Sequence, residues 1–112
     1  MTVSLRAFIS HWNRKNENVK FSIPESFGSA RPTKVEMRFS PIKDEDVDEL
    51  WEKATFGLGF RSKCGMVITT NKMVFKSGIC DIAIPSQDPA YTEEKLIEVL
   101  RWFGEVVFQP SL

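Results

Sequence analysis

MVITTNKMVFKSGICDIAI, residues 66–84, decides how the chain folds. Apolar and polar residues alternate on both sides of Asn71-Lys72, the pattern of two half-buried strands. Residues 60–70 and 73–84 then read as a hairpin with a two-residue turn, which sets Ile68 beside Phe75 and Met66 beside Ser77. The apolar phase changes along the second arm. Met73 and Phe75 are odd, whereas Cys80, Ile82 and Ile84 are even. One extra residue at Ser77-Gly78 restores the phase, so a β-bulge is expected there with Gly78 as the permissive residue.

The segments flanking this hairpin have a different period. Before it, Val47, Leu50, Trp51 and Ala54 repeat at i, i+3, i+4, i+7 and predict an amphipathic helix. Asp44 is its expected N-cap and Gly57 its expected C-terminal stop. After it, PSQDPA reads as a loop, and Thr92 caps a helix over 93–103 whose apolar stripe is Leu96, Leu100 and Phe103. Val99 and Trp102 fall toward the side of that stripe. Gly104 stops the helix, and Val-Val-Phe suits a short closing strand at 105–109, the alternative being a helix that continues to Phe108.

The first forty residues repeat the layout. Leu5, Phe8, Ile9 and Trp12 form one stripe of a helix over 3–15. VKFSI (19–23) and KVEMRF (34–39) alternate as strands, with Val19, Phe21, Ile23, Val35, Met37 and Phe39 inward. A Pro-, Gly- and Ser-rich loop joins them. The expected order is αββαββα with the closing strand as an option. This is a single α+β domain, with an antiparallel sheet of four to five strands and helices packed on one face. Trp12, Trp51, Leu50, Phe8 and Leu100 are expected to be buried together against Phe21, Met37, Phe39 and Ile68.

At 112 residues and 42% hydrophobic, the chain suits one folded domain. No apolar run approaches the ~20 residues that cross a bilayer. The start, MTVSLRAFISHWNRK, lacks the tripartite pattern of a secretory leader. Cys64 and Cys80 are too few for a disulfide scaffold, and with His11 the only histidine no structural zinc set is present. A cytoplasmic protein with reduced cysteines, no metal and no cofactor is expected.

Net charge is zero by cancellation. Residues 1–43 carry eight Lys/Arg and three Asp/Glu; residues 44–112 carry seven and twelve. The acidic excess concentrates in DEDVDELWE, residues 44–52, six acids in nine positions. Acids in a first turn complement the helix dipole, each by roughly 0.3–1 kcal/mol. That reason covers Asp44, Glu45, Asp46 and part of Asp48, but not Glu49 or Glu52. With no cation before Lys53, the later acids repel one another, a cost that a basic partner would relieve. Asp44, Asp46, Asp48, Glu49 and Glu52 are therefore the candidate partner-binding residues. Trp102 is a candidate anchor, because Trp is enriched at interface hot spots.

The cations suggest a second surface. Lys20, Lys34, Arg38, Arg61, Lys63 and Lys76 would share the sheet's outer face, opposed only by Glu36, and could contact nucleic-acid phosphates. The strand aromatics sit on the inward phase, so that face lacks the stacking platforms of RNA-binding sheets. GLGFRSK (57–63) follows a helix and enters a strand, the reverse of a phosphate loop. A thiol site from Cys64 or Cys80 with His11 and Asp81 has no local support, and no catalytic residue is assigned. The expectation is a non-enzymatic binding protein of inhibitor or immunity type, occluding a basic partner such as a nucleic-acid enzyme or toxin. The alternatives are a nucleic-acid-binding module and an assembly or secretion-chaperone subunit that dimerises through the 93–103 helix.

Overall fold

The computed structural model describes residues 4–24, 33–61, 65–84 and 92–108, with the backbone alone at 57–61 and 106–107. Helix α1 (Leu5–Lys15) starts at Ser4, whose hydroxyl accepts the Ala7 N–H at 3.1 Å. It buries Leu5, Ile9 and Trp12. Asn16 ends it, with its backbone N–H and its side-chain amide both donating to the Trp12 carbonyl at 3.0 Å. Strand β1 (Val19–Ser22) pairs antiparallel with β2 (Lys34–Phe39), and Phe21 lies opposite Met37. The outer edge of β1 is not left open. Asn13 accepts the Phe21 N–H at 3.0 Å and donates to the Phe21 carbonyl at 2.8 Å, while the Trp12 indole donates to the Val19 carbonyl at 2.9 Å. Helix α1 thus supplies side-chain partners to an edge that would otherwise offer a template to other strands.

Helix α2 spans Asp44–Arg61, β3 Val67–Ile68, α3 Lys72–Lys76, β4 Ile79–Ala83 and α4 Glu93–Trp102, followed by a π-helical turn at Phe103–Val107. The four strands form one antiparallel sheet in the order β1-β2-β4-β3. Val19, Phe21, Val35, Met37, Cys80 and Ile82 fill the buried face and meet the helices. The α+β class, single sheet and helical layer agree with the expectation from the sequence. So do the stripe of α1, the position of β2 and the cap Thr92, which accepts the Lys95 N–H at 3.1 Å. Asp44, the expected cap of α2, is instead its first helical residue, and the Lys43 carbonyl ahead of it accepts the Asp46 and Val47 N–H groups at 2.9 and 3.1 Å.

The 66–84 segment is corrected. Its two strands are not joined by a tight turn, and Ile68 pairs with Ile82 rather than Phe75. Asn71 is a helix N-cap: its side chain accepts the Val74 N–H at 2.9 Å and its carbonyl the Phe75 N–H at 2.9 Å. The single turn α3 buries Phe75 and exposes Met73 and Val74. Phe75 packs on Trp51, Phe39 and Phe108, with ring centroids 5.2, 5.4 and 5.9 Å away. A turn this short does not persist alone; the buried ring holds it. The change of apolar phase comes from this helix and not from a bulge. Gly78 is permissive as expected, but it serves as the helix exit, at φ +103°, and its carbonyl accepts the Phe39 N–H at 2.8 Å.

Three further expectations change. Gly57 does not end α2, which continues to Arg61; the left-handed glycine that follows is Gly65, at φ +76°. The strand expected from residue 60 shrinks to Val67–Ile68. The closing strand at 105–109 is replaced through Val107 by the π-helical turn, in which the Phe108 N–H donates to the Phe103 carbonyl at 3.1 Å; residue 109 lies outside the described residues. Gly104 receives the Trp12 ring there: a Cβ on Gly104 would stand 2.2 Å from Trp12 Cζ2. In the core, Trp12, Leu100, Phe21 and Met37 are buried as expected, whereas Phe8, Leu50, Trp51, Phe39 and Ile68 are half-buried around it. Val99, expected at the side, is in the core.

Candidate functional site

Helix α2 carries its apolar residues Val47, Leu50, Trp51 and Ala54 toward the core. Its acids separate into two groups around that axis. Asp44 and Asp48 lie beside α3, where Asp44 forms an ion pair with Lys76 and Asp48 with Lys72. Residue 44 meets 76 and 48 meets 72, so α3 runs antiparallel along the first turns of α2. Both pairs are solvent-exposed, a setting in which a pair is worth ~0–1 kcal/mol. Cations from α3 thus answer part of the repulsion that the sequence leaves without a nearby partner.

The second group points away from the sheet. Glu45, Glu49 and Glu52 recur at i, i+4, i+7, and at 100° per residue they fall within about 60° of one another on the face opposite Ala54. All three are exposed, and none makes an ion pair among the described residues. Asp46 is exposed at their flank. Phe56 continues the same row at i+11 and is 75% exposed. An aromatic in water at the end of an acidic row was not singled out in the sequence; the signal available was its place outside the Val47–Ala54 stripe. Trp102, the expected anchor, is instead 9% exposed and packs edge-on against Phe103 at 4.8 Å. Although it lies at the edge of the apolar arc, it belongs to the buried core cluster.

The basic sheet face does not assemble. Lys20 and Arg38 lie exposed on the outer face, and Lys34 is half-buried there. Lys20 Nζ donates to the Asn13 carbonyl at 2.6 Å. Arg38 grips Glu36, with both Nε and Nη2 2.8 Å from Oε1, and Lys34 lies 3.6 Å from Asp81 Oδ2. Asp81 is opposite Glu36 across the β2–β4 ladder, so two acids occupy the middle of the face. Asp81 Oδ1 is buried and has no hydrogen-bond partner among the described residues. Arg61 belongs to α2, Lys76 to α3, and Lys63 lies outside the described residues. Lys20, Lys34 and Arg38 share the outer face as expected, whereas Arg61 and Lys76 leave it once the expected hairpin gives way to helices on either side of β3.

Cys80 is fully buried. Burial first, and the neighbouring Asp81 charge second, push its thiol up to about 12. It remains a protonated core residue at neutral pH, not a nucleophile. His11 is exposed on α1 and lines a groove that Cys80 does not reach. Cys64 lies outside the described residues. Among the described residues no three His, Cys, Asp or Glu side chains gather as a metal site, and no helix is long and apolar enough to cross a membrane.

No known protein family, curated protein or solved structure matches this chain.

Proposed function

We propose that the chain is a small, cytoplasmic, non-enzymatic binding protein that occludes a basic partner protein with α2, in the manner of an inhibitor or immunity protein against a nucleic-acid enzyme or toxin. The observation that carries this reading is the row Glu45, Glu49, Glu52 and Phe56. Three carboxylates with no ion pair among the described residues share one helix face and end in a solvated aromatic ring. Unpaired acids steer a basic surface at long range. A desolvated aromatic then supplies the short-range anchor. Asp46 extends the field at the flank. Asp44 and Asp48 contribute to the potential while also holding α3. The mechanism is steric and electrostatic block without turnover.

Affinity capture from the native cell, using wild type and a Glu49→Lys/Glu52→Lys/Phe56→Ala variant side by side, tests this. Wild type should retain a basic protein that the variant loses, with both melting alike because the three side chains are exposed. Equal capture and equal association rates would reject the assignment of α2.

A further inference from the structure

A groove of about 940 Å³ runs between α1 and the α4–π-turn segment, on a face of the molecule that the α2 reading does not use. Its size lies within the ~300–1,000 Å³ of small-molecule sites. The floor is apolar: Phe8, Trp12 and Ile97 line it, with Phe8 and Ile97 half-buried. Trp12 is held from two sides, by its hydrogen bond to the Val19 carbonyl and by the Gly104 backbone against its ring. The protein itself thus positions the Trp12 part of the floor.

The rim is cationic. Arg14, Lys15 and Arg101 line the groove together with one acid, Glu105. Arg101 Nε is 3.5 Å from Glu105 Oε1, whereas Arg14 and Lys15 make no ion pair among the described residues. Arg14 and Lys15 lie in the last turn of α1, where cations complement the helix dipole. That dipole amounts to about half a negative charge. Three cations against one carboxylate and this half charge leave the rim positive. A groove with a greasy floor and two uncommitted cations at one lip suits neither a neutral oil nor a bare ion.

We infer that this groove binds a free amphipathic anion, whose apolar chain lies on Phe8, Trp12 and Ile97 and whose oxyanion head group meets Arg14 and Lys15. Amide shifts in a two-dimensional NMR titration test it with three probes: decanoate below its micelle threshold, decanol, and inorganic phosphate. Decanoate should move amides within 7–16 and 97–105 and saturate. Decanol, with the same chain and no charge, should bind at least about tenfold more weakly, the loss expected when a charged hydrogen bond disappears. Phosphate should not saturate. Arg14→Gln/Lys15→Gln, which keeps the helix, should lose decanoate by a similar factor and leave decanol unchanged. Equal binding of decanol and decanoate, shifts spread over the sheet, or full decanoate affinity in the double variant would overturn the proposal. A sedimentation mass that rises with concentration, and is restored to the monomer by Glu49→Gln/Glu52→Gln, would assign the groove to the acidic helix of a second copy and equally overturn it.

Discussion

At the residue scale, two glycines and one cysteine have the clearest physical consequences. Gly78 combines φ +103° with a position where a Cβ would stand 2.1 Å from the Phe39 carbonyl oxygen, a backbone atom that cannot swing away. Gly78→Ala should destabilise by about 2–4 kcal/mol, from the left-handed backbone and the lost β4 approach together. Gly104→Ala meets a side chain instead, the Trp12 ring at 2.2 Å. Its cost should be about 1–3 kcal/mol, as for other overpacked cores. Combined with Trp12→Phe, part of that cost should vanish, and a thermal-melt double-mutant cycle reads the coupling. Additive losses would mean that the close approach carries no strain. Cys80 sets a pH limit. Its ordinary value of 9.0 is raised to about 12 in the fold. Above pH 9 the unfolded chain releases the proton while the folded chain retains it, so stability falls as pH rises toward 12 and is unaffected below 9. Urea titrations at pH 8 and 10.5 should show wild type losing about 2 kcal/mol more than Cys80→Ala.

At the element scale, α3 shows how local chemistry and burial combine. Asn71 begins the turn and Gly78 ends it, yet five residues cannot sustain a helix by themselves. Asn71→Ala should cost about 1 kcal/mol through the lost cap. Phe75→Ala should cost about 3–5 kcal/mol, because its fully buried ring also supports Phe39, Trp51 and Phe108. Lys72→Gln/Lys76→Gln removes the two ion pairs to α2 and should cost less than about 1 kcal/mol per pair, fading as salt reaches 1 M. Chemical denaturation of the three variants ranks these effects; a charge variant more damaging than Phe75→Ala would reverse the ranking. The same element explains why the sequence misled. Met73, Phe75 and Ser77 alternate as a strand would, and alternation over so few residues is shared by a helical turn that buries one ring. Gly57 and Gly104 are similar: each has the form of a helix stop, although glycine inside a helix costs only about 1 kcal/mol and Gly104 returns a tight packing site for Trp12.

At the scale of the whole molecule, charge is divided between elements: α1 carries Arg6, Arg14 and Lys15 without an acid, and α2 carries six acids before its first cation. If α2 meets a basic partner, Lys72→Glu/Lys76→Glu should accelerate association at low salt by extending the acidic field, while Glu49→Lys/Glu52→Lys should slow it. Both effects should shrink as the Debye length falls from ~10 Å at 0.1 M to ~3 Å at 1 M. Stopped-flow rates with the captured partner measure them, and rates insensitive to both variants would show that the field does not guide encounter. What the sequence determined by itself was local and periodic. It includes the stripes of α1, α2 and α4, the alternation of β1 and β2, three helix starts and the α+β class, all set by spacing between near neighbours. Tertiary structure decided what depends on residues far apart in the chain. It made 72–76 a helix because a ring could be buried among three others. It tied Asp44 and Asp48 to lysines from another element and set Asp81 between Lys34 and Glu36. It also turned Trp102 inward and left Phe56 in water. An amphipathic pattern gives the direction of the core to within a helical turn, but the fate of a residue at the edge of that pattern depends on which neighbour arrives to cover it.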